Sequence, residues 1–319
     1  MITPLSRTHL PQLNLLLAQH AARWGLPAPT EHAWCVAASG SAEHLWGRWQ
    51  GGALVGALRM VPGPRARNRH TATLELVGDD QGLLATAVDL ADRWTPIDRL
   101  DLSLPLGHEA VSAAQGLGFD PEVTLRRAPD EVVLGRLRPG FVARPPGPPP
   151  PWPPRHRRPA PAWGWRRMED ADVPAVAALS VEATAIWGTL QTPSSSLDFY
   201  LDRHHATPPD NFLGVLTADG AVAGIGGMHP TGRPDARVLG MAVGADWQGC
   251  GGGAFLMDAL IHHARADGVR RLELAVWADN TRARALYERA GFVAEGTRRF
   301  DGIRDGGHAS SLEMARELR

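Results

Sequence analysis

The proline-rich stretch at residues 139–161 limits most strongly what this chain can become. It reads Pro-Gly-Phe-Val-Ala-Arg-Pro-Pro-Gly-Pro-Pro-Pro-Pro-Trp-Pro-Pro-Arg-His-Arg-Arg-Pro-Ala-Pro. Proline lacks the amide donor and holds φ near one value, so neither a helix nor a sheet strand runs through such a segment. A semi-rigid polyproline II spacer laid over the domain surfaces is the expected state. The 319 residues therefore divide into residues 1–138, a linker at 139–161, and residues 162–319.

The halves resemble each other. Asp219 to Pro230 sits beside Gly51 to Pro62, each a tight turn followed by a strand. Val269 to Leu274 matches Ile97 to Leu102, and Gly291-Phe292 matches Gly118-Phe119. The same elements in the same order predict a tandem duplication of one α/β unit.

The second half carries a loop that the first lacks. An alternating strand ends at Val243, and Gly249, Gly251, Gly252 and Gly253 follow. A helical pattern starts at once, with Leu256, Met257, Leu260, Ile261 and Ala264 on one face. Glycines leave their amides unshielded at a helix N-terminus, where the dipole favours anions. This predicts a phosphate site. The pattern Gly249-x-Gly251-x-x-Ala254 formally fits the dinucleotide fingerprint. It fails in detail, because that fingerprint places its first glycine directly after the strand, and here five residues intervene. A glycine-rich turn without a ligand is the plainer alternative.

Gln248-x-x-Gly251-x-Gly253 after such a strand resembles the pyrophosphate loop of the GCN5-related N-acetyltransferases. The segment Asn280-x-x-Ala283-x-x-Leu286-Tyr287-x-x-x-Gly291-Phe292 is similar to the stretch after the fifth strand in the same family. The resemblance covers about Trp165 to Arg319. It implies two α/β domains, each with a mixed, mostly antiparallel sheet flanked by helices. It implies acetyl-CoA as co-substrate and direct acetyl transfer to a primary amine. Met241, Ala242 and Val243 would offer a strand edge to the pantetheine amides. The amides of Gln248, Gly249, Cys250, Gly251, Gly252, Gly253 and Ala254 would hold the pyrophosphate. Asn280 would bond the pantetheine arm, Ala283 would let it pass, and Tyr287 would protonate the departing thiolate. Relatives often place a basic residue where Cys250 stands, which shifts phosphate binding towards the backbone.

Read by themselves, Tyr287 is an apolar-face tyrosine and His229 a surface histidine before Pro230. His229 has the intrinsic pKa of a base for the amine, and a water chain to another base is the other route. Trp187, Leu190, Gln191 and Phe300 are the expected acceptor residues. They lie in a Thr-Leu-Gln-x-Pro segment and a tail similar to those of bacterial L-amino-acid N-acetyltransferases. The acceptor is thus expected to be a small molecule such as an amino acid.

The first half has only Gly78-Asp79-Asp80-Gln81-Gly82 before its helix, and two carboxylates repel phosphate. In register with the Gly-Phe pairs, Gly107 stands opposite Asn280 and Ala114 opposite Tyr287. The first half reads as a degenerate copy with the fold kept and the cofactor site gone; under the sensor alternative it would act as a lid or a dimer surface. A CoA-binding sensor without turnover is the competing class, and a homodimer suits both.

Composition adds exclusions. A net charge of −1 provides no global field for nucleic acid or an anionic membrane. Cys35 and Cys250 have no metal-ligand spacing and form no disulfide framework. No apolar run is long enough for a membrane span, so a cytoplasmic protein with no metal is expected.

Overall fold

Periodicity and turns resolve into regular elements in a computed structural model. It describes residues 1–24, 34, 44–63, 67–93, 96–127, 129–152, 161–190, 196–205, 212–231 and 233–318. In chain order the first elements are β1 (Ile2–Pro4), a helix (Leu10–Trp24), β2 (His44–Gln50), β3 (Ala53–Pro62) and β4 (Thr71–Gly78). A helix (Leu83–Arg93), β5 (Arg99–Pro105), a helix (Ala110–Gly116), β6 (Asp120–Leu125) and β7 (Glu131–Leu137) follow. After the linker come β8 (Trp163–Arg167), three short helices (Val173–Ser180, Ala183–Gly188, Leu197–His205), β9 (Phe212–Ala218), β10 (Ala221–Pro230) and β11 (Ala236–Val243). The chain closes with a helix (Gly252–Ala266), β12 (Arg271–Trp277), a helix (Thr281–Arg289), β13 (Val293–Arg304) and β14 (Gly307–Glu317). Among the described residues, no helix is long and apolar enough to cross a membrane.

The elements form two compact units. One comprises Met1–Pro145 with Glu295–Ser310, the other Pro146–Ala294 with Ser311–Arg319. In the first unit the strands run in the order β1-β2-β3-β4-β5-β7-β6. In the second they run β8-β9-β10-β11-β12-β14. Pairing is antiparallel except for β4 with β5 and β11 with β12. Those two pairs are parallel because a helix crosses between the strands, as parallel neighbours require. Each unit is a mixed, mostly antiparallel sheet flanked by helices.

Each crossover helix buries one face. Leu256, Met257, Leu260, Ile261 and Ala264 pack on Leu216, Met228, Leu239, Leu272 and Leu274. In the first unit Leu84, Ala87, Val88 and Ala91 pack on Leu58, Leu74, Leu100 and Leu102. Each fully buried leucine contributes about 1.5–3 kcal/mol relative to exposure.

The division differs from the expected boundary at residue 162. Residues 295–310 form an arm that belongs with the first unit. An Asp-Gly turn at Asp305 and Gly306, with φ of 48° and 74°, folds the arm into a hairpin. Gly296 pairs with Val123 of β6, and a Cβ there would lie 2.2 Å from the Glu122 carbonyl oxygen. Glu122 accepts from the Arg299 amide at 3.1 Å, from Arg299 Nε at 2.7 Å and from Arg99 Nη2 at 2.7 Å. Arg99 is fully buried and also donates to Asp101. Burial pulls the Arg99 guanidinium down, but Asp101 and Glu122 outweigh it and hold the group above its ordinary value.

The linker touches both units with its own residues. In the first unit Phe141 packs on Phe300 at 5.7 Å, and the Arg144 amide donates to His308 Nδ1 at 3.0 Å. In the second unit Trp152 lies edge-on to Trp187 at 5.5 Å, beneath the Arg282 guanidinium.

Candidate active site

The site begins with a sheet that comes apart. β11 pairs with β10 along its whole length, from Arg237 opposite Pro230 to Val243 opposite Gly224. β12 likewise stays on β14 up to Trp277 opposite Ser311. Between β11 and β12, however, pairing runs only from Ala236 opposite Arg271 to Val238 opposite Glu273. Each strand follows its outer neighbour, so the inner edge from Leu239 to Val243 is left without a strand partner. Met241 and Ala242 on one side, and Ala275 and Val276 on the other, line a cavity of about 290 Å³.

At the end of this edge stands the glycine loop. The Gly244 amide bonds the Ala223 carbonyl at 2.9 Å, and the Ala245 amide bonds Glu182 Oε2 at 2.6 Å. Gln248 Nε2 donates to the Val243 carbonyl at 2.9 Å and to Thr184 Oγ1 at 3.0 Å. The Gln248 side chain therefore braces the loop from behind. The Gln248 amide bonds Ala245, and the Ala254 amide bonds Gly251. Among the described residues, the five amides between them, Gly249 to Gly253, donate to no acceptor in the protein. Gly249 and Gly251 have φ of 81° and 96°, a region that side chains rarely adopt. A Cβ on Gly252 would meet Trp163 at 2.6 Å, and one on Gly253 would meet Leu286 at 3.3 Å. The loop is a cradle of bare donors at the start of a fifteen-residue helix, and it fits an anionic diphosphate. Cys250 is half-buried, its Sγ 3.8 Å from the Gln248 carbonyl.

Asn280 and Tyr287 line the same cavity. Asn280 is buried and caps its helix, its Oδ1 accepting from the Ala283 amide at 3.2 Å. The Tyr287 ring packs near Phe292 at 6.1 Å. Burial pushes its phenol up to about 12, so it holds its proton throughout the physiological range. His229, on β10 opposite Val238, lines the cavity as well.

The acceptor residues separate. Leu190 lines the cavity. Trp187 is buried beside Trp152 and lies outside the cavity wall. Phe300 belongs to the first unit, where its carbonyl oxygen lies 2.9 Å from His70 Nε2. Gln191 lies outside the described residues. Trp277 Nε1 donates to the Thr189 carbonyl at 3.1 Å and so ties the segment before Leu190 to the end of β12.

Sequence reasoning missed Met168, Phe199, Tyr200 and Ile225 in the cavity wall, and Glu182 and Thr184 behind the loop. One signal was available. The chain has only two tyrosines, Tyr200 and Tyr287, and both line this cavity.

Parts of the chain are similar to known proteins. Residues 178–292 match the profile of the Acetyltransferase (GNAT) family. The chain is 29% identical over 158 residues to the L-amino acid N-acetyltransferase AaaT of Escherichia coli, covering 47% of this chain and 95% of that one. It is 38% identical over 90 residues to a mycothiol acetyltransferase of Propionibacterium freudenreichii, covering 26% of this chain and 29% of that one. Among solved structures, a GCN5-related N-acetyltransferase from Kribbella flavida aligns with a TM-score of 0.44 and 26% identity, covering 49% of this chain and 98% of that one. That family uses acetyl-CoA, and the C-terminal half of this chain contains a GNAT acetyltransferase domain.

Proposed function

We propose that the second unit transfers the acetyl group of acetyl-CoA to a primary amine of a small molecule. The observation that carries this reading is convergence. An unpaired strand edge, Asn280 and a protonated Tyr287 line one cavity, and five unbonded amides follow the end of that same strand. The diphosphate lies on the amides of Gly249 to Gly253, and the pantetheine arm runs along Met241 to Val243 past Asn280 and Ala283. The neutral amine attacks the thioester carbonyl, forming the C–N bond as the C–S bond breaks. Tyr287 donates its proton to the departing thiolate. His229, or a water chain, accepts the proton from the amine.

The names of two relatives, an amino acid N-acetyltransferase and a mycothiol acetyltransferase, support a small-molecule acceptor. The shared strand order supports reading the first unit as a copy of the same fold without the coenzyme site. A cytoplasmic enzyme acting alone or as a homodimer suits this reading, with no role for nucleic acid, membrane or metal.

A thiol-release assay with acetyl-CoA across a panel of amines tests the reading. The panel includes amino acids and the acceptor of the mycothiol acetyltransferases. Release that depends on the amine is the expected result. CoA binding with no release on any amine points instead to a CoA sensor. The chain contains no lysine, so no lysine side chain adds a self-acetylation background.

A further inference from the structure

A second group of side chains converges away from the cavity wall. Asp170, in the turn between β8 and the helix Val173–Ser180, faces His204 and His205 at the end of the helix Leu197–His205. Its Oδ1 lies 3.5 Å from His204 Nε2 and 2.9 Å from His205 Nε2. The donor atoms of all three lie within 4.8 Å of one another, and no other trio of His, Cys, Asp or Glu among the described residues does so. Neighbouring helix residues point about 100° apart, so two such rings meet one oxygen only when it stands between them. Both sides of the trio are held in place. Asp172 takes both prongs of Arg166 at 2.6 and 2.7 Å and the Glu169 amide at 2.9 Å, which fixes the turn and leaves Asp170 to the histidines. Tyr200 and Leu201 pack on Met168, Val173 and Leu213, which fixes the helix.

A plain ion pair needs a single histidine. Two imidazoles and a carboxylate are the donor set of a zinc-type cation, which takes nitrogen and oxygen ligands at about 2.0–2.2 Å in a tetrahedron. Ligands at that radius stand about 3.3 Å apart, and the two nitrogen–oxygen separations bracket this value. Magnesium and calcium require more oxygen ligands than the trio offers. We infer that Asp170, His204 and His205 form a site for one zinc-type divalent cation, with water completing the tetrahedron. The cation takes no part in acetyl transfer, and the inference does not depend on that reading. It ties the turn at Asp170 to the helix whose Phe199 and Tyr200 line the cavity.

The test titrates Zn²⁺ alone into the full chain after dialysis against a chelator, and reads bound zinc by competition with a chromogenic chelator. The chain has 13 histidines, so the site is read as the difference between wild type and variants. Zinc affinity should fall at least about tenfold in His205→Gln and in Asp170→Asn. It should stay unchanged in His262→Gln, an exposed histidine on another helix. Mg²⁺ at the same concentration should displace no zinc. Asp170 and His205 are exposed, so the metal-free variants should melt with wild type. In wild type, zinc should also slow amide exchange at the end of the helix Leu197–His205, and it should not do so in His205→Gln. No zinc bound by wild type, wild-type affinity in both site variants, or exchange in that helix indifferent to zinc would each overturn the inference.

Discussion

The parallel pair in each unit begins alike and ends differently. β4 and β5 pair from Thr71 opposite Arg99 to Leu74 opposite Leu102 and then stop, much as β11 and β12 do after Val238. In the second unit, bare glycine amides follow. In the first, the corresponding loop consumes its own donors. The Asp79 amide bonds the Val55 carbonyl at 2.9 Å, and the Gln81 amide bonds Asp79 Oδ1 at 3.0 Å. The Leu83 amide bonds the Asp80 carbonyl at 2.5 Å. Burial and the neighbouring Asp79 raise the Asp80 carboxyl, as expected where negative charge is already crowded. Where Asn280 caps a helix in the second unit, buried His108 supplies the acceptor, its Nδ1 taking the Ala110 amide at 3.1 Å. Trp24 stacks on His108 at 5.0 Å, and His20 stands 6.0 Å away. One sheet topology thus leaves a run of amide donors free in one unit, whereas acids and a histidine take up such donors in the other.

The largest effect expected from breaking this contrast is at Tyr287. Tyr287→Phe should lower turnover by about 10²–10⁴-fold with little change in CoA affinity. Steady-state kinetics beside a CoA titration would read it, and unchanged turnover would remove the phenol from the reaction. The wild-type phenol must be protonated to act, and it loses its proton only as pH rises through about 12. Turnover should therefore show no alkaline decline from this group up to about pH 10.

Next in size is Arg99→Ala in the first unit, which takes the guanidinium from buried Asp101 and leaves Glu122 with Arg299. The cost should be about 3–5 kcal/mol, read as earlier hydrogen exchange in β5, β6 and the 295–310 arm. Slow exchange retained in the arm would show that the ion cluster does not hold it.

Gly251→Asp recreates the first unit's chemistry in the second. It forces a side chain into a φ of 96° and sets a carboxylate where the diphosphate is expected. CoA affinity should fall about 10–100-fold by calorimetry. Undiminished affinity would place the diphosphate elsewhere.

The smallest effect is on acid stability. Burial, with His108 and Arg23 nearby, lowers His20 to about 4, and Glu109 opposes this only weakly. The unfolded chain takes up that proton near 6.5, so the folded state keeps the stability above pH 6.5 and loses it as pH falls towards 4. His44, His70, His108 and His308 are also held down by burial, and all lie in the first unit. Acid should therefore melt the first unit before the second, which exchange rates assigned to each unit would reveal.

Much of the second unit was legible because its signals are local. Glycines after a strand, the apolar face from Leu256 to Ala264, and the cap at Asn280 each follow from neighbouring residues. The proline run contains the division at Pro145 and Pro146, but it gave no sign that residues 295–310 belong with the first unit. No residue between Leu239 and Val243 declares which neighbour its strand will follow, so the open edge at Met241 to Val243 was expected from the resemblance alone. The arm was hidden for the same reason. Residues 295–310 read as an alternating hairpin, but their partners Glu122, His70 and Arg99 lie far away in sequence, so Phe300 was expected beside the acceptor. Gln248 matched a binding motif, yet its side chain braces Val243 and Thr184, a role set by tertiary packing.

The central claim is that the five amides after Gln248 hold the coenzyme's diphosphate. A crystal structure of the chain with acetyl-CoA tests it most directly. The account predicts diphosphate oxygens within hydrogen-bonding distance of the Gly249 to Gly253 amides, and the thioester beside Tyr287. Coenzyme bound in the first unit, or with its diphosphate away from this loop, would contradict it.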